Sequence, residues 1–375
     1  MAVVLIAPDS FKGTVSAVHA ARAIADGWRS ERPGDELLLL PMADGGEGTL
    51  EALAAARRDA VWHRVDVDPP APGERPVRGR WLELPRSVGG QLGVVELAEM
   101  AGLPLLDVPA PLTAHTRGLG QAIRAALAAG VDELWVALGG SASTDGGAGA
   151  LQALGARILT MSGDPIGPGG GALTSVRTVD LSALPPLPAG GVSLLTDVTA
   201  PLLGSEGAAA VFGPQKGATP EDIVRLDGGL GLWAAALGGD VDEPGAGAAG
   251  GTAFGLRAWG ARIVAGAPAV ADALGISSLA RTVDVVVTGE GRFDAQSTTG
   301  KGPGHVLDLA QQGTATRILI AGDIIGDVDA ERLSLTDLAG GSGPAKQDAT
   351  HWLRVAGTRA ASVPTLSGRR PIDQR

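Results

Sequence analysis

Gly139-Gly140-Ser141-Ala142-Ser143-Thr144-Asp145-Gly146-Gly147-Ala148-Gly149 is the stretch on which the fold turns. An apolar run, Leu134 to Leu138, leads into it and a helix-like run, Ala150 to Leu154, follows, so the local reading is strand, glycine loop, helix. Glycines let backbone N–H groups approach an anion closely, and the first turn of a helix adds unpaired N–H groups and a positive dipole. Such a turn suits a phosphate or a carboxylate. A turn made only to reverse the chain is the alternative, but it needs no dense set of hydroxyls and a carboxylate. Gly140, Ser141, Ser143 and Asp145 are therefore taken as substrate- or phosphate-binding candidates.

Outward from this loop the same pattern repeats. Ala2 to Ala7 is a continuous apolar run suited to a strand buried on both faces of a parallel sheet, and it ends at Pro8-Asp9-Ser10-Phe11-Lys12-Gly13-Thr14. Ser16 then caps a helix expected over Ala17 to Arg29. Ligands of open α/β sheets sit beyond the carboxyl ends of strands, which is where Asp9, Ser10 and Lys12 fall; Asp9 or Ser10 as a plain capping residue is the alternative. A second strand, Glu36 to Leu40, runs into Pro41-Met42-Ala43-Asp44-Gly45-Gly46-Glu47 and a helix from Leu50 to Arg57. Asp44 and Glu47 on this glycine turn can hold Mg²⁺ or a substrate hydroxyl, unless these acids only stabilise the helix start.

From about Val61 the character changes. Val77 to Leu84 and Gln91 to Leu97 alternate like strands of an antiparallel or mixed sheet, and a helix begins near Thr116. Gly163 to Gly171 reads as a surface loop. Val192 to Leu195 is a short strand that ends at Thr196-Asp197 and leads on to Lys216, a loop lysine flanked by Pro and Gly whose default state is solvated. Pro220 to Leu237 is helical. Gly245-Ala246-Gly247-Ala248-Ala249-Gly250 spells the dinucleotide pattern but follows an acidic loop instead of a strand, and is set aside. Buried-strand rhythm returns at Val283 to Val287, before Glu290, Arg292, Asp294 and Lys301, with a helix from Gly304 to Gln311, and again at Arg317 to Ala321. A last helix is expected over Lys346 to Ala361, with a loosely ordered tail.

Composition narrows the classes. The 375 residues give room for two domains, and 45% hydrophobic with 19% charged residues describes a globular chain with a real core. A net charge of −11 with no basic cluster argues against nucleic acid as a partner. The absence of cysteine excludes disulfides, thiolate catalysis and Cys-ligated metals, and suits a cytoplasmic location. Residues 1–7 lack the basic flank of a signal peptide, and no apolar run is long enough for a membrane partner. His19, His63, His115, His305 and His351 show no zinc-ligand spacing.

Taken by themselves, glycine turns at strand ends, carboxylates and loop lysines suggest phosphoryl transfer. Asp44, Asp197 and Glu290 are the candidate Mg²⁺ ligands, and Lys12, Lys216 and Lys301 neutralise transferred charge. No loop fits the Walker pattern, because Gly300-Lys301 lacks the earlier glycine and the following Ser or Thr.

Five segments carry a more specific resemblance: IAPDSFKGTVSA (6–17), PMADGGEGTLEAL (41–53), GGSASTDGGAGALQALGAR (139–157), AAAVFGPQKGAT (208–219) and TGEGRFDAQSTTGKGP (288–303). Together, and in this order, they resemble the type 1 glycerate kinase family. The resemblance implies ATP-dependent phosphorylation of D-glycerate, with 2-phosphoglycerate as the usual product, and ATP and Mg²⁺ as cofactors. It implies an α/β fold in two parts. A flavodoxin-like doubly wound parallel-sheet domain would be made from residues 1–75 and 262–375, and a mixed α/β domain inserted over 76–261, with approximate boundaries.

Glycerate and Mg-ATP are expected in the cleft between the two, where Asp197 orients or deprotonates the attacking hydroxyl, and Lys12 and Asp44 complete the catalytic set. Ser10, Lys216, Arg292, Asp294 and Lys301 are the further substrate or phosphate contacts, one lysine or Arg292 meeting the glycerate carboxylate. The chain departs from the family pattern at Thr113 to Gln121, at Gly302-Pro303-Gly304 and in a shortened segment between Asp323 and Leu333. Two other readings stay open: a kinase of another small hydroxy acid, and a non-catalytic sensor of a small acid or nucleotide.

Overall fold

The computed structural model describes residues 1–295, 297 and 301–364. The tail expected to be loosely ordered, from 365 on, and residues 296 and 298–300 lie outside the described residues. In chain order the strands are β1 (Val3–Ile6), β2 (Glu36–Leu39), β3 (Val61–Val67), β4 (Val77–Pro85), β5 (Gln91–Glu96), β6 (Glu133–Ala137), β7 (Arg157–Leu159), β8 (Thr178–Asp180), β9 (Val192–Leu195), β10 (Arg262–Val264), β11 (Val285–Phe293), β12 (Thr316–Ile324) and β13 (Glu331–Ser334). The chain divides into two compact units: Met1–Asp44, Glu51–Arg58 and Ala267–Arg375 form the first, Gly45–Leu50 and Asp59–Gly266 the second.

The first unit is built on a sheet of order β13-β12-β11-β1-β2 in which every pair is parallel. Numbered along this unit alone the order is 2-1-3-4-5, the flavodoxin-like doubly wound arrangement. Val4, Leu5 and Ile6 of β1 are fully buried, as their continuous apolar run requires for a strand covered on both faces. The helix Ala17–Glu31 starts at Ser16, whose hydroxyl accepts the His19 N–H, and turns Ala20, Ile24 and Trp28 inward at helical spacing.

This first helix packs on Ala349–Ala361, and glycines set the approach. A Cβ on Gly27 would lie 1.9 Å from the Arg354 carbonyl oxygen, and one on Gly357 2.2 Å from that of Ile24. The single helix expected over Lys346 to Ala361 is instead two, Ser342–Gln347 and Ala349–Ala361. Asp348 breaks it at φ −136°, because its carboxylate caps the second helix by accepting the His351 N–H at 3.1 Å. β11 also runs six residues past the expected end at Val287, to Phe293, since its ladder with β12 continues through Arg292↔Asp323 and Phe293↔Ile324.

The second unit has a mixed sheet of order β10-β9-β6-β5-β4-β3. β3, β4 and β5 pair antiparallel; β5 to β6, β6 to β9 and β9 to β10 are parallel. Its core gathers Leu119, Val136, Leu151, Leu194 and Trp233, the last donating its indole N–H to the Gly146 carbonyl at 3.0 Å. The helix Pro220–Leu237 begins with a capping box formed by Thr219 and Asp222. The expected surface loop over Gly163 to Gly171 is only partly exposed, since its last residues are buried at the start of the 3₁₀ turn Gly170–Ser175. No strand precedes Gly245-Ala246-Gly247, and Ala249, Gly250 and Gly251 take left-handed backbone angles there. Among the described residues no helix is long and apolar enough to cross a membrane.

Candidate functional site

In the first unit's sheet the strand order reverses at β1, between β2 and β11, and that is where a doubly wound sheet opens a crevice at its carboxyl end. A pocket of about 430 Å³ lies there. Asp9 reaches it from the end of β1, Asp44 from the turn after β2, Glu290 and Arg292 from β11, and Asp323 from β12. The backbone at its floor is fixed: the Asp9 N–H donates to Gly289 O at 2.8 Å and the Met42 N–H to Pro8 O at 2.8 Å. Lys12 is carried by a tight loop in which Phe11, buried, pairs with Val15 through Phe11 N–H to Val15 O at 2.8 Å, leaving the lysine exposed at the rim.

Burial drives the electrostatics. The Asp9 carboxyl is pushed up to about 8 by loss of water, with the Asp44 and Glu290 charges adding to the rise, against the Ser10 N–H and the Lys12 ammonium. Glu290 is likewise raised, first by burial, with Ser297 and Lys12 opposing. Its Oε1 is buried and accepts no hydrogen bond from any described residue. The acids share the pocket with Lys12, Arg292, Lys301 and Lys346, so carboxylates and cationic side chains are brought together there.

On the opposite side of the charge balance, the helix Gly302–Gln311 starts at this pocket, with Lys301 at its N-cap and Pro303 in its first turn. The positive end of a helix beside two lysines, Lys12 and Lys301, suits phosphate oxygens. Gly302 sits at φ +21°, and a Cβ there would stand 3.0 Å from Asp9 Oδ2, which accounts for glycine at this position.

Of the residues expected from sequence, Ser10, Lys12, Asp44, Glu290, Arg292, Asp294 and Lys301 thus line one pocket, Arg292 and Asp294 as an ion pair at 3.4 Å. Asp9, which the sequence places at a strand end with Ser10 and Lys12, lines it as well, and so do Asp323 and Lys346, which the sequence does not single out. Asp9 and Asp323 follow the same strand-end rule as their neighbours; Lys346 lies in the helix Ser342–Gln347 and no motif marks it.

The remaining candidates belong to the second unit. Asp197 lies just beyond β9, half-buried, one carboxylate oxygen accepting the Gly266 N–H at 2.7 Å. Gly140 is exposed with φ +77°, whereas Ser141, Ser143 and Asp145 are buried. The Asp145 carboxylate accepts from Thr116 N–H (2.8 Å), Thr116 Oγ1 (2.9 Å), Gly147 N–H (3.1 Å) and Gly149 N–H (3.2 Å). The N–H groups at the start of the helix Ala148–Leu154 therefore already hold an anion, supplied by the chain itself. Ser141 and Ser143 hydroxyls pair at 3.1 Å.

Lys216 departs from the solvated state expected of a loop lysine. It is 2% exposed, and its ammonium donates to the Ser143 carbonyl. Burial holds it down at about 8, with Asp145 pulling the other way. Among the described residues, no three or more acids and histidines converge as a preformed metal cage.

Known proteins match over nearly the whole chain. A family model described as the glycerate kinase family matches residues 4–355. A glycerate kinase of Bacillus subtilis (strain 168) is 42% identical over 336 residues, covering 87% of this chain and 86% of its own. A glycerate 2-kinase of Escherichia coli (strain K12) is 42% identical with the same coverage. A crystal structure from Salmonella typhimurium LT2, whose name provisionally assigns it as a glycerate kinase 2, superposes with a TM-score of 0.79 at 38% identity, over 96% of this chain and 97% of that one.

Proposed function

The chain belongs to the glycerate kinase family, and is an enzyme; from that premise we propose that it transfers the γ-phosphoryl group of ATP to a hydroxyl of D-glycerate, giving 2-phosphoglycerate and ADP. The observation that carries the nucleotide half of this reading is the first unit's pocket, where acids, two lysines and a helix N-terminus meet at the sheet's switch point.

Lys12, Lys301 and the first turn of the helix Gly302–Gln311 meet the phosphate oxygens. Mg²⁺ fits the Glu290 oxygen that no described residue bonds, with Asp44 as second ligand. This ion usually keeps several waters and takes one or two carboxylates plus substrate phosphates. When bound it supplies neutralisation of the phosphate charge. Arg292 or a lysine takes the glycerate carboxylate. Asp197 accepts the proton of the attacking hydroxyl; the new O–P bond forms as the bond from γ-phosphorus to the ADP oxygen breaks.

The departure at Thr113 to Gln121 favours a second reading on substrate identity, phosphorylation of a different small hydroxy acid. One assay separates them: a panel of hydroxy acids with ATP and Mg²⁺, read as ADP release, with product NMR to place the phosphate. Rapid ADP formation with D-glycerate and phosphorus on the 2-oxygen are expected. No turnover of D-glycerate beside brisk turnover of another acid would sink the first reading, and phosphorus on the 3-oxygen the stated product.

A further inference from the structure

A second cavity, of about 260 Å³, lies wholly within the second unit, beside the start of the helix Arg117–Ala128. Three polar side chains with unused donors line it. His115 is 7% exposed, and its Nδ1 accepts the Arg117 N–H at 3.4 Å, which leaves the ring proton on Nε2. No described residue accepts that proton. Nε2 keeps contact with solvent in the cavity, and a ligand with an acceptor atom there can take that donor in place of water.

The Gln152 amide, half-buried on the same wall, makes no hydrogen bond with a described residue. Arg117 spends one edge of its guanidinium on Asp68, Nε to Oδ2 at 2.7 Å, and a guanidinium has five N–H donors. Gly149, Gly167 and Gly169 also line it and put no side chain into the space.

We propose that this cavity binds a small oxyanion, a carboxylate or phosphate group, held by His115 Nε2, the Gln152 amide and the free edge of Arg117. The nearby Asp145 does not forbid an anion, since four hydrogen bonds and the Lys216 ammonium already answer its charge. The volume admits a molecule of a few carbons and is too small for a nucleotide. If the ligand is the acid substrate or its phosphorylated product, the inference rests on the kinase reading and deepens it; a site for inorganic phosphate stands without it.

The test uses the full chain with ¹⁵N-labelled histidine and no nucleotide, titrated separately with D-glycerate and with inorganic phosphate. The His115 Nε2 resonance is expected to move and saturate. His115→Ala and Gln152→Ala are each expected to weaken binding about tenfold or more, the scale of a hydrogen bond to a charged group. Urea midpoints identify a His115 variant that fails to fold, and Gln152, half-buried, serves as the second variant. A response to glycerate alone assigns the site to a carboxylate, and a response to phosphate assigns it to a phosphoryl group. A His115 resonance unmoved by either anion, or variants that bind as tightly as the parent, overturns the site. ATP and Mg²⁺ are then added to the D-glycerate sample and ADP release is recorded: turnover without an earlier shift refutes the cavity alone, and a shift without turnover refutes the kinase reading alone.

Discussion

Asp9→Asn isolates the cost of keeping a carboxyl at the floor of the first unit's pocket. Burial and its acidic neighbours lift Asp9 from 3.8 to about 8, so the folded chain holds this proton where the unfolded chain has released it. Between these values the native state binds more protons, and stability must fall as pH rises from about 4 to about 8, then level off. Roughly four units at ~1.4 kcal/mol each set a ceiling of about 6 kcal/mol, which water entry and local relaxation reduce to about 3. Asparagine cannot ionise, yet it keeps an oxygen for the Ser10 N–H. The variant should match the parent near pH 4 and exceed it by about 3 kcal/mol at pH 9, in urea melts run at both values. A stability difference that is the same at the two pH values would refute the reasoning. A gain of this kind at a functional pocket is the ordinary cost of activity, so turnover should fall as stability rises.

Asp197→Asn keeps an acceptor for the Gly266 N–H, so the fold should survive while kcat drops by about 10²- to 10⁴-fold; near-normal turnover would take Asp197 out of the chemistry. Lys216→Met should relieve a buried ammonium. The unfolded lysine titrates near 10.5 and the folded one near 8, so the parent gains up to about 3 kcal/mol on the variant between those pH values, and a gap independent of pH in paired denaturant melts would contradict it. Gly357→Ala drives a methyl into the Ile24 carbonyl and should cost about 1–3 kcal/mol or more, visible as a lower urea midpoint with no change in KM if the variant folds.

How much of this is legible from residues alone depends on where the determining partner sits. β9 and the helix Pro220–Leu237 have the bounds their sequence predicts, because a buried apolar run and a Thr219–Asp222 box are local signals. The end of β11 is not legible: Gly289 to Phe293 reads as loop, and only pairing with β12 makes it strand. Lys12, Asp44 and Glu290 meet because strand ends of one sheet meet, a rule that needs no contact information. Asp9 obeys the same rule and is placed by it, though its competing reading as a capping residue leaves it without an assigned role. Lys216 is the reverse case, for the Ser143 carbonyl that holds it lies far away along the chain and no window around Gly213 to Ala218 reports it. The loop at Gly139 shows the limit of motif reasoning, since its helix start is filled by Asp145, a residue of the motif itself.

The glycine crossing of Ala17–Glu31 with Ala349–Ala361, and β1 set between β2 and β11, mean that residues 1–44 complete their packing only after residues 267–361 have been made. The contiguous stretch Asp59–Gly266 meets no such delay and can condense during translation. Until then the nascent β1, apolar on both faces and open along the edge that takes β11, is a segment for a chaperone to shield.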